Sequence, residues 1–257
     1  TYILVADLEA ASTRGVSLEK ARKMALDFHI PAYVALGLDA KKTNFYFQSE
    51  NKEVMNNAYE FAKKITLNEF EAIYGNADPG KIMGAITQVA DILYPQFKER
   101  MPGIIPTGID QDPHLRLTRD IVRRMKDKKF FLPSSIYHKY TPSLDGSLKM
   151  SKSKPESCIE LPEDINSVKK KINRALSGGR DTLEEHRKLG AVIEKDMVFE
   201  LIKQHLVEDD KELDKIYKAY KSGKMTSGEL KEIANKKMEK FMNEFNTGIE
   251  KARKHLR

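Results

Sequence analysis

Residues 103–113 read Gly103-Ile104-Ile105-Pro106-Thr107-Gly108-Ile109-Asp110-Gln111-Asp112-Pro113, and this stretch decides the fold class. The short apolar run at 103–107 reads as a strand that ends on a glycine and two polar side chains. Asp112 then stands at a helix N-cap and Pro113 at the first helical position, where its missing N–H costs nothing. Strand, polar turn and punctuated helix form one βα unit of an α/β protein. Ligands of open α/β sheets bind outside the carboxyl ends of the strands, which makes Gly108, Asp110 and Gln111 candidate binding residues. Gly108 lets a ligand approach the backbone closely. A carboxylate accepts from two sugar hydroxyls, and a Gln amide both accepts and donates. The competing reading is an ordinary βα turn, and Asp112 is read as a structural cap.

The same alternation extends to both sides. Residues 2–6 are a continuous apolar run, read as a central parallel strand, and 44–48 are a second strand. Ser17 caps a helical pattern through Leu18, Ala21, Ala25 and Phe28, with a kink or break expected at Pro31 and a stop near Gly37. Further helical patterns run at about 51–63, 67–73 and 80–97, and Phe130-Phe131-Leu132-Pro133 is a further strand candidate. This predicts part of a Rossmann-like, doubly wound parallel sheet over residues 1–160. From Leu161 the strand-like runs stop. Amphipathic helices are expected at about 162–176, 196–207, 209–221 and 226–255, giving an all-helical C-terminal domain over 161–257.

The chain has 257 residues, 40% of them hydrophobic, enough for two cores. No apolar run reaches the ~20 residues that cross a bilayer, and no signal peptide is visible, so a cytoplasmic protein without a membrane partner is expected. The single Cys158 excludes an internal disulfide and fits a reducing compartment. Six scattered histidines and that lone cysteine offer no metal-spaced cluster, so no protein-held metal is expected. A net charge of +7 permits contact with a polyanion without demonstrating it. The chain begins with Thr1 inside what reads as a buried strand, which suggests a preceding N-terminal portion.

The second decisive stretch is Lys149-Met150-Ser151-Lys152-Ser153, preceded by Asp145-Gly146-Ser147. Two ammonium groups three positions apart on a loop suit a polyphosphate whose charge grows in the transition state. A loop can also close after its ligand enters. The helix at 80–97 adds a polar face: Gln88 and Asp91, three apart, project together and would offer an amide and a carboxylate to a substrate side chain. A wet helix face is the competing reading. Glu9, at the end of the first strand, holds an ammonium, orders a neighbour, or is a solvated turn residue.

In these motifs the chain resembles class I aminoacyl-tRNA synthetases, most of all the tryptophanyl branch of the archaeal and eukaryotic type. Lys149–Ser153 resembles the class I signature loop. The run from Gly108 to Asp120 and the turn Ser177-Gly178-Gly179-Arg180 look tryptophanyl, whereas the tyrosyl branch normally continues with Arg-Lys after the Gln. The resemblance implies ATP-dependent activation of tryptophan and its transfer to tRNA, with ATP as substrate and Mg²⁺ on its phosphates. It places Gln88 and Asp91 against the indole, has Gln111 help hold tryptophan, and puts Asp110 at the ATP ribose. Lys149 and Lys152 would act on the phosphates, with Met150, Ser151 and Ser153 completing the loop (145–155). The helical domain would read the tRNA anticodon, and a homodimer is implied.

The family's His-x-Gly-His turn does not occur in these 257 residues. The resemblance puts it upstream of Thr1, so this polypeptide alone is expected to be a poor catalyst. The alternatives are a tyrosyl enzyme, a catalytically inactive RNA-binding fragment of a synthetase, and a nucleotidyl transferase acting on a small molecule. The long helical domain argues against the last.

Overall fold

The apolar run at the head of the chain forms a strand, β1 (Tyr2–Val5), but it pairs on one side only. The computed structural model describes residues 1–13, 15–127 and 130–255. Among these, β1 is parallel to β2 (Asn44–Phe47), with Tyr2 opposite Asn44 and Val5 opposite Phe47. Among the described residues it has no strand on its other side, where the unbroken apolar run predicts one, and Tyr2 is 42% exposed.

Between these strands come α1 (Asp7–Thr13), α2 (Leu18–Met24) and α3 (Ile30–Ala35). The Ser17 hydroxyl accepts from the Lys20 backbone N–H at 3.3 Å and caps α2. Pro31 does not break the helical run. A π turn at Ala25–His29 joins α2 to α3, with the Ile30 N–H reaching back five residues to the Ala25 carbonyl. A regular α-turn would set the Pro31 ring against the carbonyl of Asp27, and the extra residue in the π turn relieves that crowding.

The next helices are α4 (Lys52–Ala62), α5 (Leu67–Tyr74) and α6 (Pro79–Leu93). Their starts are set by side chains taking orphan backbone donors: Asn51 for α4, a Thr66–Glu69 capping box for α5, and Asp78 for α6. β3 (Ile104–Gly108) then leads to α7 (Asp112–Arg124), and β4 (Ser134–His138) lies parallel to β3, Ile104 opposite Ser134. The strand expected at 130–133 thus begins four residues later. The reason is the Gln96 side chain, 6% exposed, which takes both backbone groups of Phe131: it accepts from the N–H at 2.7 Å and donates to the carbonyl at 3.1 Å. Pro133 has no N–H to give a ladder.

Helical spacing explains the core of this part. Val54, Ala58 and Phe61 of α4, Ile86, Val89, Ala90 and Leu93 of α6, and Leu117 and Ile121 of α7 are each 1% exposed or less. They recur at three and four residues and so share one face of each helix. Burying each large side chain contributes about 1.5–3 kcal/mol.

From Pro155 onward every regular element among the described residues is helical, including α8 (Ile165–Arg174), α9 (Leu183–Leu189), α10 (Met197–Leu201), α11 (Asp210–Lys221) and α12 (Ser227–His255). A second core joins Val168 and Ile172, Val198 and Ile202, Tyr220, and Leu230 and Ala234, with Met238 and Met242 extending it along α12. The chain divides into two compact units, one of residues 1–139 with 249–257 and one of 140–248. The division falls at Tyr140, ahead of the change of pattern at Leu161. No described helix is long and apolar enough to cross a membrane.

Candidate active site

Chemistry in the first unit gathers where β1 and β2 end. Glu9 is not a turn residue. It lies in the first turn of α1, half-buried, two positions after Asp7. Asp7 is 1% exposed and is the better-held carboxylate. It accepts from its neighbour Leu8 N–H and the Ser49 N–H, both at 3.0 Å, and from the Ser49 hydroxyl at 2.6 Å. An acidic side chain at the first helical position stabilises the helix start and also ties α1 to the end of β2. Sequence reading passed over Asp7 because its partner lies 42 residues away.

Asp91, near the end of α6, is 7% exposed, and both of its oxygens are occupied from β2 and the residue after it. Tyr46 donates its hydroxyl at 3.1 Å and Gln48 its amide at 2.6 Å. Burial pushes the Asp91 carboxyl from 3.8 up to about 7. The hydrogen bonds from Gln48 and Tyr46 oppose that rise, and Glu9 and Asp7 add to it. Burial, with help from Asp91, also drives the Tyr46 phenol well above its ordinary range. Gln48 is 3% exposed, so this is a closed polar cluster in an apolar surround.

The linkage is definite in sign. A carboxyl whose folded value lies above its unfolded value binds more protons folded than unfolded, so its contribution to stability falls as pH rises from about 4 to about 7. Asp91→Asn, isosteric with the protonated acid, is expected to flatten that fall, by on the order of 2 kcal/mol between about pH 5 and pH 7. Denaturant melts of both proteins across this range measure it. An unchanged pH slope would show that Asp91 stays ionised.

Gln88, one turn before Asp91, donates its amide N–H to Gln111 Oε1 at 2.9 Å. The structure therefore brings together the polar face of α6 and the turn after β3. Gln88, Asp91 and Gln111 are joined through α6, with Glu9 within electrostatic reach of Asp91. Gly108 lies directly behind the Asp110 side chain. A Cβ there would lie 2.5 Å from Asp110 Oδ1, so the glycine makes room for the exposed Asp110 carboxylate to fold back.

Asp112 does not cap α7. Gln111 occupies the cap position without a side-chain bond, and Asp112 is the first helical residue. Its carboxylate pairs with Arg116 at 2.9 Å and accepts from the Tyr137 hydroxyl of β4. The Arg116–Asp120 pair that spacing suggests is replaced by Arg116–Asp112 and Arg123–Asp120. His114 sits in the first turn of α7 with Nδ1 2.8 Å from the Tyr74 hydroxyl, and burial lowers its basicity while Asp110 opposes. A cavity of about 270 Å³ opens beside Asp7 and Glu9, between the end of β1 and the α2–α3 segment, lined also by Ala6, Ala25, Ile30 and Tyr33.

The loop with Lys149 and Lys152 belongs to the second unit, and its stem is rigidly tied. The Leu144 N–H donates to the Ser157 carbonyl at 3.0 Å, and the buried Ser143 hydroxyl donates to the same carbonyl at 3.0 Å. Met150 packs against the helical core, and its N–H donates to the Thr141 carbonyl. Lys149, Ser151, Lys152 and Ser153 are all exposed. Met150 is thus the anchor, and the side chains with cationic or hydroxyl heads face solvent. Lys149 Nζ lies 4.9 Å from the centre of the Tyr140 ring, an ammonium over a negative π face. Asp145 receives the Ser147 N–H and the Lys154 ammonium, and these hold its carboxyl well below the usual range. No group of three His, Cys, Asp or Glu among the described residues is arranged to hold a metal ion.

The turn Ser177-Gly178-Gly179-Arg180 is structural. Asp196, 1% exposed, accepts from the Gly178 N–H at 2.8 Å and the Tyr220 hydroxyl at 2.6 Å. A Cβ at Gly178 would fall 2.2 Å from the Val192 carbonyl oxygen. Arg180 donates to the Gly190 carbonyl just past α9.

These motifs can be set beside known proteins. A model of the class I tRNA synthetases for tryptophan and tyrosine matches residues 1–243. The tryptophan–tRNA ligase of Methanocaldococcus jannaschii is 45% identical over 98% of this chain and 70% of its own length. That of Aeropyrum pernix is 42% identical over 98% of this chain and 69% of its own. The crystal structure of the tryptophanyl-tRNA synthetase from Aeropyrum pernix superposes with a TM-score of 0.94 at 42% identity, covering 99% of this chain and 71% of that one. A tryptophan-bound tryptophanyl-tRNA synthetase from Encephalitozoon cuniculi gives 0.84 at 30% identity, covering 97% and 68%. With the signature loop, the Gln88–Gln111 contact and this likeness along nearly its whole length, the chain belongs to the class I tRNA synthetases of the tryptophan and tyrosine type.

Proposed function

We propose that the full-length protein carries out ATP-dependent activation of tryptophan and its transfer to tRNA. The observation that carries this reading is the signature loop, whose Met150 is partly buried against the helical core while both lysines face solvent. Attack of the amino-acid carboxylate on the α-phosphorus forms a carbon–oxygen–phosphorus linkage and releases pyrophosphate. Lys149 and Lys152 meet the charge that accumulates on the departing phosphates, and the hydroxyls of Ser151 and Ser153 donate to the same oxygens. Mg²⁺ arrives with ATP as part of the substrate, held on phosphate oxygens, which suits a loop of cations and hydroxyls without a carboxylate cage.

Gln88 presents its amide to the indole, held in orientation by the bond to Gln111. Asp91, with both oxygens engaged, shapes the wall beside it, a change from a simple acceptor of the indole N–H. Glu9 supplies negative charge for the α-ammonium, Gln111 helps hold the amino acid, and Asp110, with Gly108 behind it, accepts from the ribose hydroxyls. The two parallel strand pairs are parts of one doubly wound sheet, and the helices from Leu161 form a domain that reads the anticodon. The working form is a cytoplasmic homodimer. A tyrosyl enzyme is not favoured, since the relatives of highest identity named above are tryptophan–tRNA ligases.

The test is incorporation of labelled tryptophan into tRNA by the full-length protein. It is expected to require ATP and to be lost on ribonuclease treatment. A folded full-length protein that fails to charge tRNA would leave the binding reading standing without the enzyme.

A further inference from the structure

The carboxylate that meets the second signature lysine comes from outside the motif. Lys152 Nζ lies 3.1 Å from Glu160 Oε2, with the lysine side chain 84% exposed and the glutamate 41%. The two ends of this contact are not held alike. The Glu160 N–H donates to Glu163 Oε2 at 3.1 Å, and the Cys158 carbonyl two residues earlier accepts from Lys171 Nζ at 2.7 Å. Glu163 and Lys171 are themselves paired at 2.5 Å, with side chains 15% and 14% exposed. Burial alone would raise Glu163, but the bonds from Lys171 and Ser167 outweigh it and keep it ionised. The backbone on either side of Glu160 is thus pinned by a half-buried ion pair at the foot of α8, while Lys152 rides on an exposed loop. A carboxylate on a pinned stretch of backbone faces an ammonium on an exposed loop.

We infer that Glu160 is a positioning residue for Lys152: it parks the ammonium on the loop stem until a polyphosphate, carrying several charges, outbids one carboxylate. This rests on the reading of Lys152 as a phosphate-binding group. An exposed pair of this kind is weak and screened by salt, which suits a contact that must be exchanged at every turnover. Neighbouring Lys154 is taken by Asp145 at 3.1 Å and is not an alternative partner for Glu160.

The experiment is ATP–pyrophosphate exchange by the full-length enzyme at saturating tryptophan, for wild type, Glu160→Gln, Lys152→Ala and the double variant, at low and high ionic strength. Glu160→Gln is expected to raise kcat/KM for ATP about two- to five-fold at low salt, with KM for tryptophan and thermal unfolding unchanged. The gain should fade at high salt and vanish in the Lys152→Ala background. Glu160→Lys, which also repels Lys152, should change kcat/KM in the same direction. A loss of kcat/KM in Glu160→Gln, no change, or an equal gain without Lys152 overturns the parking role and leaves the lysine assignment intact. If Lys152→Ala alone leaves exchange unchanged, the phosphate reading itself fails, and the parking role with it.

Discussion

Lys152→Ala is expected to slow adenylate formation by roughly 10²-fold while leaving tryptophan affinity nearly intact. The interaction strengthens as charge moves onto the departing pyrophosphate, so its loss falls on the rate and hardly on the ground state. The structure makes this a clean substitution. The Lys152 side chain is 84% exposed, so removing it opens no cavity, and the stem stays tied through Ser143, Ser157 and Met150. Single-turnover adenylate formation, paired with equilibrium binding of tryptophan, measures the two quantities separately. Equal losses in both would mean that the loop acts as a structural element.

Tryptophan is expected to drive ATP–pyrophosphate exchange at least 10²-fold more efficiently than tyrosine, measured as the ratio of kcat/KM values in the full-length enzyme. An indole N–H is a donor only and is satisfied by one buried acceptor, whereas a phenol hydroxyl both donates and accepts. Gln88 is held by Gln111, and Asp91 is held by Tyr46 and Gln48, so these polar groups have little freedom to rearrange around a phenol. Leaving a buried hydroxyl imperfectly paired costs about 1–3 kcal/mol, to which a poor fit of the smaller ring adds. Exchange supported equally by tyrosine would overturn the tryptophan assignment and favour the tyrosyl reading.

Regular elements were legible where the chain carries its own punctuation. Ser17 caps the helix that its spacing predicts, and the strands at 2–5, 44–47 and 104–108 lie within or beside the apolar runs that announce them. Reading failed where a distant side chain takes a backbone group or a local partner. Phe130–Pro133 has strand composition, yet Gln96, 35 residues earlier, satisfies Phe131 and displaces the strand to Ser134. Asp112 has the residue type of a cap, but Arg116 and Tyr137 claim its oxygens. Pro31 signals a break, and the π turn absorbs it because helical hydrogen bonding can slip by one residue at small cost.

The candidate site divides along the same line. The sequence by itself determined which residue types stand at the strand ends and on the loop: Asp110 and Gln111 after β3, Gln88 and Asp91 three apart on one helix face, and two lysines flanking a methionine. Spacing and chemistry suffice for that, because helical and strand periods decide which side chains point the same way. Only the tertiary structure decided their partners. Tyr46 and Gln48 close on Asp91 across more than 40 residues, Ser49 on Asp7, Gln111 on Gln88 across 23, and Glu160 on Lys152. Periodicity reports the face a side chain occupies, whereas the charge state of Asp91 and the resting place of Lys152 depend on which donor or acceptor the fold brings into hydrogen-bonding range.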